Sequence, residues 1–161
     1  MQELNLDHIH FAALSSEILK GGNSFAFQAQ GNSMRPFVLT EDILTVEPVS
    51  VISLRFGDIL FCRTAESRIV VHRLMGWSNS RDGEKFLIKG DDTNEAAEQV
   101  SEEQVLGRVI QIRRGDRLIN QRSVFLRTLI FLWVKTYPLS SFLYYLPGRV
   151  LRRCIRFFKN S

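Results

Sequence analysis

Between residues 24 and 119 the chain falls into short apolar or alternating runs, each closed by turn residues, and no helical stretch lies between them. The runs are Ser24–Gln30 (SFAFQAQ), Ile43–Val46, Asp58–Arg63, Ile69–Trp77, Lys85–Lys89 and Leu106–Arg113, with a last short one near Arg117–Ile119. Turn residues separate them at Glu41-Asp42, Arg55-Phe56-Gly57, Asn79 to Gly83 and Gly90-Asp91-Asp92. Parallel strands need crossovers of a dozen residues or more, usually helical, and this chain has no such segment there. The pattern therefore predicts a mainly β fold: a coiled, mostly antiparallel β-body.

The two ends differ from this body. Residues 5–20 carry Ile9, Leu14 and Ile18 near helical spacing; Asn5 or Asp7 fits the start and Gly21-Gly22 the stop. Beyond Arg122 apolar residues crowd together, and Pro138 and Pro147-Gly148 punctuate them. The expected division is 1–23, an N-terminal amphipathic helix; 24–121, the β-rich domain; and 122–161, a hydrophobic and basic helical tail. From Thr128 to Leu146 the only formal charge is Lys135, but Lys135, Pro138 and Ser140-Ser141 count against a membrane span. In the last helix Arg149, Arg152, Arg153 and Arg156 share one face, with Leu151, Cys154, Ile155 and Phe158 on the other. Two uses fit that pattern: an interfacial helix on anionic lipid, or a helical hairpin packed on the body or on a second copy.

At 161 residues the chain suits one domain with a small appendage, and 45% hydrophobic residues suffice for a core. The formal charge of +4 sits mostly in the C-terminal arginines, so a basic tail on a near-neutral body describes it better than a nucleic-acid-binding surface. Cys62 and Cys154 lie far apart without metal-ligand spacing, which argues against a disulfide framework or zinc site. Free cysteines of this kind are expected to be buried. The first residues lack the basic start of a secretory signal, so the expectation is a cytoplasmic protein, peripheral on the membrane if the tail binds lipid.

Three short elements could carry chemistry. Ser33 stands between Gly31 and Pro36 at the end of a strand, in a loop that can present a hydroxyl and backbone N–H groups to a carbonyl. His72 lies in Arg68-Ile69-Val70-Val71-His72-Arg73-Leu74, where alternation sends Val70, His72 and Leu74 to one face and Val71 and Arg73 to the other. It is the one histidine outside the N-terminal helix, which holds His8 and His10. A base for Ser33 is therefore His72 or a desolvated lysine such as Lys89. The third element is Lys89-Gly90-Asp91-Asp92-Thr93-Asn94, either an Asx-rich turn or the source of a carboxylate that orients imidazole.

In this order the elements resemble signal peptidase I and its LexA-related relatives, from Gly31 to Arg108. The resemblance rests on GNSMRPFVLTEDILTVEPV, LRFGDILFCR, IVVHRL, FLIKGDD and VLGRVI. It implies that Ser33 is the nucleophile. The position that is lysine in bacterial signal peptidases and LexA relatives is His72 here, followed by Arg73, which is similar to the endoplasmic-reticulum and archaeal signal peptidases. Those enzymes carry a further aspartate beyond Lys-Gly-Asp, where this chain reads Thr93-Asn94-Glu95-Ala96-Ala97-Glu98. Asp91 is the first choice for the acid, with Asp92, Glu95 and Glu98 as stand-ins. The family's signal peptidases also start with a transmembrane anchor before the serine, where this chain has a polar amphipathic helix.

The implied activity is a serine endopeptidase acting on a peptide or protein precursor without metal or cofactor, for secretory processing or for maturation of a cytoplasmic peptide. The substrate would lie extended along the edge of Ser24–Gln30. A degenerate fold that only binds peptides or membranes is the alternative. LexA-like repression is disfavoured, because residues 1–23 hold one helix and cannot form a helix-turn-helix.

Overall fold

The computed structural model describes residues 8–121 apart from 67, 81, 82 and 94. The elements are α1 (His8–Lys20), β1 (Phe25–Gln28), β2 (Ile43–Glu47), β3 (Ile59–Arg63), β4 (Ile69–Ser80), β5 (Gly83–Lys89), β6 (Glu98–Ser101), β7 (Val105–Arg114) and β8 (Arg117–Asn120). Two 3-10 turns, Val51–Ser53 and Glu102–Gln104, punctuate the loops. The expected mainly β, antiparallel body is what forms. One sheet runs in the order β1-β2-β7-β3-β4-β5-β6, and β8 pairs with β7. All seven pairings are antiparallel. The expectations for the helical tail, lipid contact and Cys154 fall on residues 122–161 and lie outside the described residues.

The sheet coils because register shifts interrupt it at Thr45/Val46, Phe61/Cys62 and Leu74/Gly76. Each bulge adds local twist. The coiled sheet then encloses apolar residues on both sides. Ile59 and Phe61 of β3 join Leu44, Val46, Val109 and Ile112 in one cluster. Leu60 and Cys62, the alternate residues of the same strand, join Leu74, Phe86, Ile88 and Val100 in another. A strand buried on both faces needs an unbroken apolar run, which is why Ile59 to Cys62 reads as one rather than as an alternation. Burial pushes the Cys62 thiol up to about 12, which keeps it a neutral, inert filler of that second cluster.

α1 belongs to the first cluster through Phe11 and Leu19. Phe11 meets Phe25, Phe27 and Phe61 with ring centroids 5.5–6.3 Å apart, spacing that favours edge-on and tilted ring contacts. The helix stops where the double glycine predicts. Gly22 takes φ 78°, and the Asn23 N–H reaches back to the Ile18 carbonyl at 3.1 Å. β6 escapes sequence reading. Its four residues contain one buried apolar side chain, Val100, and its strand state comes from pairing with β5.

Candidate active site

The loop between β1 and β2 is closed at its base. The Ala29 N–H donates to the Asp42 carbonyl at 2.8 Å, and the Glu41 N–H returns to the Ala29 carbonyl at 2.9 Å. Gly31 enters the loop at φ 90°, a left-handed conformation that suits glycine. The Thr40 hydroxyl bonds the Gly31 carbonyl across the loop at 2.8 Å. A turn follows, closed by the Arg35 N–H on the Asn32 carbonyl at 3.1 Å, with Ser33 and Met34 at its centre. Met34 and Val38 are buried at 4% exposure each and anchor the loop, by burial worth roughly 1.5–3 kcal/mol per side chain. Ser33, just before the first anchor, is exposed, and its backbone N–H makes no hydrogen bond among the described residues.

An ionic clasp holds the far side of the loop. Asp42 accepts the Leu39 N–H at 2.8 Å and takes Nε and Nη2 of Arg114 at 2.9 and 2.7 Å. Arg114 Nη2 also bonds the Phe37 carbonyl at 3.1 Å. Burial alone would raise the Asp42 carboxyl, but the bonds from Arg114 and Leu39 outweigh it and hold it below the ordinary carboxylate value.

The loop after β5 forms the wall beside Ser33. A Cβ on Gly90 would stand 2.7 Å from the Ser33 carbonyl oxygen and 3.1 Å from the Ser33 Cβ, so only glycine fits there. The Asp92 N–H donates to the same Ser33 carbonyl at 2.8 Å. Two of the three sequence elements, Ser33 and Lys89-Gly90-Asp91-Asp92, are thus in direct contact.

β4 supplies the third. His72 stands opposite Leu60 of β3 and is half-buried. Its Nδ1 is shut away from solvent and has no hydrogen-bond partner among the described residues. Burial lowers the affinity of the imidazole for a proton below the ordinary value, and the negative charge of Glu95 opposes that in part. His72 is therefore held neutral down to a pH below 6.5, the state a general base requires.

Asp91, expected first as the partner of His72, is engaged elsewhere. Its Oδ1 and Oδ2 accept Nε and Nη2 of Arg73 at 2.7 and 2.5 Å. The reason lies in the pleat. Arg73 follows His72 and points to the opposite face, and both members of the pair are buried. Arg73 spends its remaining nitrogen on the Gly57 carbonyl at 2.8 Å and lays its guanidinium over the Phe37 ring, 4.9 Å from the centroid. One fully buried arginine thereby ties together the Ser33 loop through Phe37, the Gly90 wall through Asp91, and the turn before β3. Of the stand-ins, Glu95 is exposed on the loop before β6, where its N–H bonds the Thr93 hydroxyl at 3.1 Å; Glu98 opens β6.

Sequence reading overlooked Arg73, Phe37, Asp42 and Arg114. Alternation in β4 put Arg73 opposite His72, and burial of both sheet faces makes that a core position needing a carboxylate. Asp42 and Arg114 sit 72 residues apart with no local signal to join them. Among the described residues no cluster of histidine, cysteine and carboxylate groups is arranged to hold a metal ion.

The model of the Peptidase S24-like family matches residues 1–110, which include Ser33, His72, Asp91 and all but the end of β7. The chain belongs to the Peptidase S24-like family. Comparison with curated proteins finds no match. Membership agrees with the resemblance to signal peptidase I and LexA relatives and gives the β-body a serine-peptidase-type fold. Among the described residues of this S24-like chain no helix is long and apolar enough to cross a membrane.

Proposed function

We propose that this S24-like protein is a serine endopeptidase of the Ser-His kind, with Ser33 as nucleophile and His72 as general base. The observation that carries the reading is the setting of Ser33: an exposed hydroxyl with a free N–H, on a turn anchored by Met34 and Val38 and walled by Gly90. In the reaction His72 takes the Ser33 proton while Oγ attacks the scissile carbonyl. The Ser33 N–H receives the oxyanion, the C–N bond breaks, and His72 protonates the leaving amine. Water then hydrolyses the ester. Glu95 takes the role of the acid in this reading, because its charge favours the imidazolium while Asp91 is committed to Arg73. The substrate adds as an extended strand to β1, which among the described residues pairs with β2 alone.

Ser33→Ala should abolish cleavage of a physiological precursor and labelling by a serine-reactive phosphonate, with the fold unchanged by circular dichroism. Unchanged cleavage by that variant would overturn the assignment. The second reading, a peptidase fold that only binds peptide, draws on the unpartnered His72 Nδ1. It wins if the native chain binds the precursor but takes no label at Ser33. Contact of residues 122–161 with anionic lipid, or their self-association, is a further part of the proposal, supported by the arginine face of the last helix in the sequence. Co-sedimentation with anionic but not neutral liposomes supports the lipid arm, and loss of both membrane and self-association removes this part.

A further inference from the structure

Arg35 is the cation of the Ser33 turn that no group among the described residues neutralises. The other half-buried or buried described arginines of the body each have an acceptor on at least one nitrogen: Arg63 on the Ala12 carbonyl, Arg73 on Asp91, Arg108 on Glu47 and Arg114 on Asp42, although Nε of Arg63 and of Arg108 is unpaired too. Arg35 is half-buried, its Nε is cut off from solvent, and its guanidinium makes no hydrogen bond or ion pair among the described residues. A half-buried guanidinium without a protein acceptor favours a ligand carboxylate that supplies one at its accessible nitrogens. The guanidinium fork fits such a group with two parallel bonds.

Its place in the chain fixes where that carboxylate would sit. Arg35 closes the turn whose second residue is Ser33, so the two Cα atoms lie at most about 7.6 Å apart, two steps of about 3.8 Å. The turn is not free to swing. Met34 and Val38 are seated in the core, Thr40 spans the loop, and the Asp42–Arg114 clasp holds its exit. A substrate whose scissile carbonyl reaches Ser33 therefore lies within a long side chain's reach of the Arg35 backbone. The Asp91 carboxylate does not compete for it, since it is taken by Arg73.

We infer that Arg35 is a specificity residue that binds a carboxylate of the substrate close to the scissile bond. This rests on Ser33 being the reacting centre, so the test reads binding apart from turnover. Full-length Ser33→Ala protein, with and without Arg35→Gln or Arg35→Glu, is equilibrated with a randomised peptide library, and the bound peptides are sequenced. The expected result is enrichment of Asp or Glu at one fixed position, lost in Arg35→Gln and replaced by Lys or Arg in Arg35→Glu. Individual peptides carrying the acid should bind roughly tenfold more weakly after Arg35→Gln. Blocking the peptide C-terminus as the amide separates a side-chain carboxylate from a terminal one. No acid enrichment, or the same enrichment in all three proteins, overturns the inference, and circular dichroism of each variant guards against misfolding. Phosphonate labelling of the native Ser33 is scored independently. Labelling without acid selection defeats Arg35 alone, whereas acid selection without labelling defeats the peptidase reading alone.

Discussion

The two faces of β4 treat neighbouring polar residues in opposite ways. On one face Arg73 is fully buried, and its guanidinium is shared between Asp91, Gly57 and the Phe37 ring. On the other, His72 is half-buried and its Nδ1 has no partner among the described residues. One residue is saturated and builds the site; its neighbour keeps a ring nitrogen without a hydrogen-bond partner among the described residues. The difference teaches that a charged residue beside a candidate catalytic one can serve as the frame. The same contrast explains why Asp91, the closest match to the motif's own acid, does not orient His72.

The comparison breaks most visibly at Asp91. Asp91→Ala leaves Arg73 charged, buried and unpaired, and should cost about 3–5 kcal/mol in urea unfolding. Loss below about 1 kcal/mol would mean that the pair does not frame the site. The His72 face is sharpened by pH. Because its folded-state proton affinity is lowered, His72 charges only below 6.5, and the acid limb of kcat/KM should lie below that value. Protonation then favours the unfolded chain, so stability from this group begins to fall as pH drops below 6.5. Glu95→Gln removes the charge that supports the imidazolium. It should move the acid limb to still lower pH and reduce kcat/KM at neutral pH by about fivefold, or about 1 kcal/mol. An unmoved limb would remove Glu95 from the mechanism.

Much of the architecture was legible because strands announce themselves through spacing. The runs at Ile69–Trp77 and Leu106–Arg113 sit inside β4 and β7, and Gly21-Gly22 marks the end of α1. β6 was not legible, since a strand with one buried apolar residue owes its state to its neighbour. In the site, local signals located Ser33, His72 and the Gly90 loop, because each requires special residues at short range. Partners were hidden where they depend on contacts across the fold. Arg114 reaches Asp42 over 72 residues, and Asp91 turns to Arg73 because of which face each strand residue takes. Spacing along the chain does not encode those choices.

The clasp between Arg114 and Asp42 also orders events in time. Ser33 emerges early in synthesis, but its wall at Gly90 arrives 57 residues later and the guanidinium that fixes its loop later still. A nascent chain ending before Arg114 therefore carries the serine without the support that aims it. In the proposed reaction the hydroxyl would thus be matured by completion of its own body, which would protect the unfinished chain from self-cleavage.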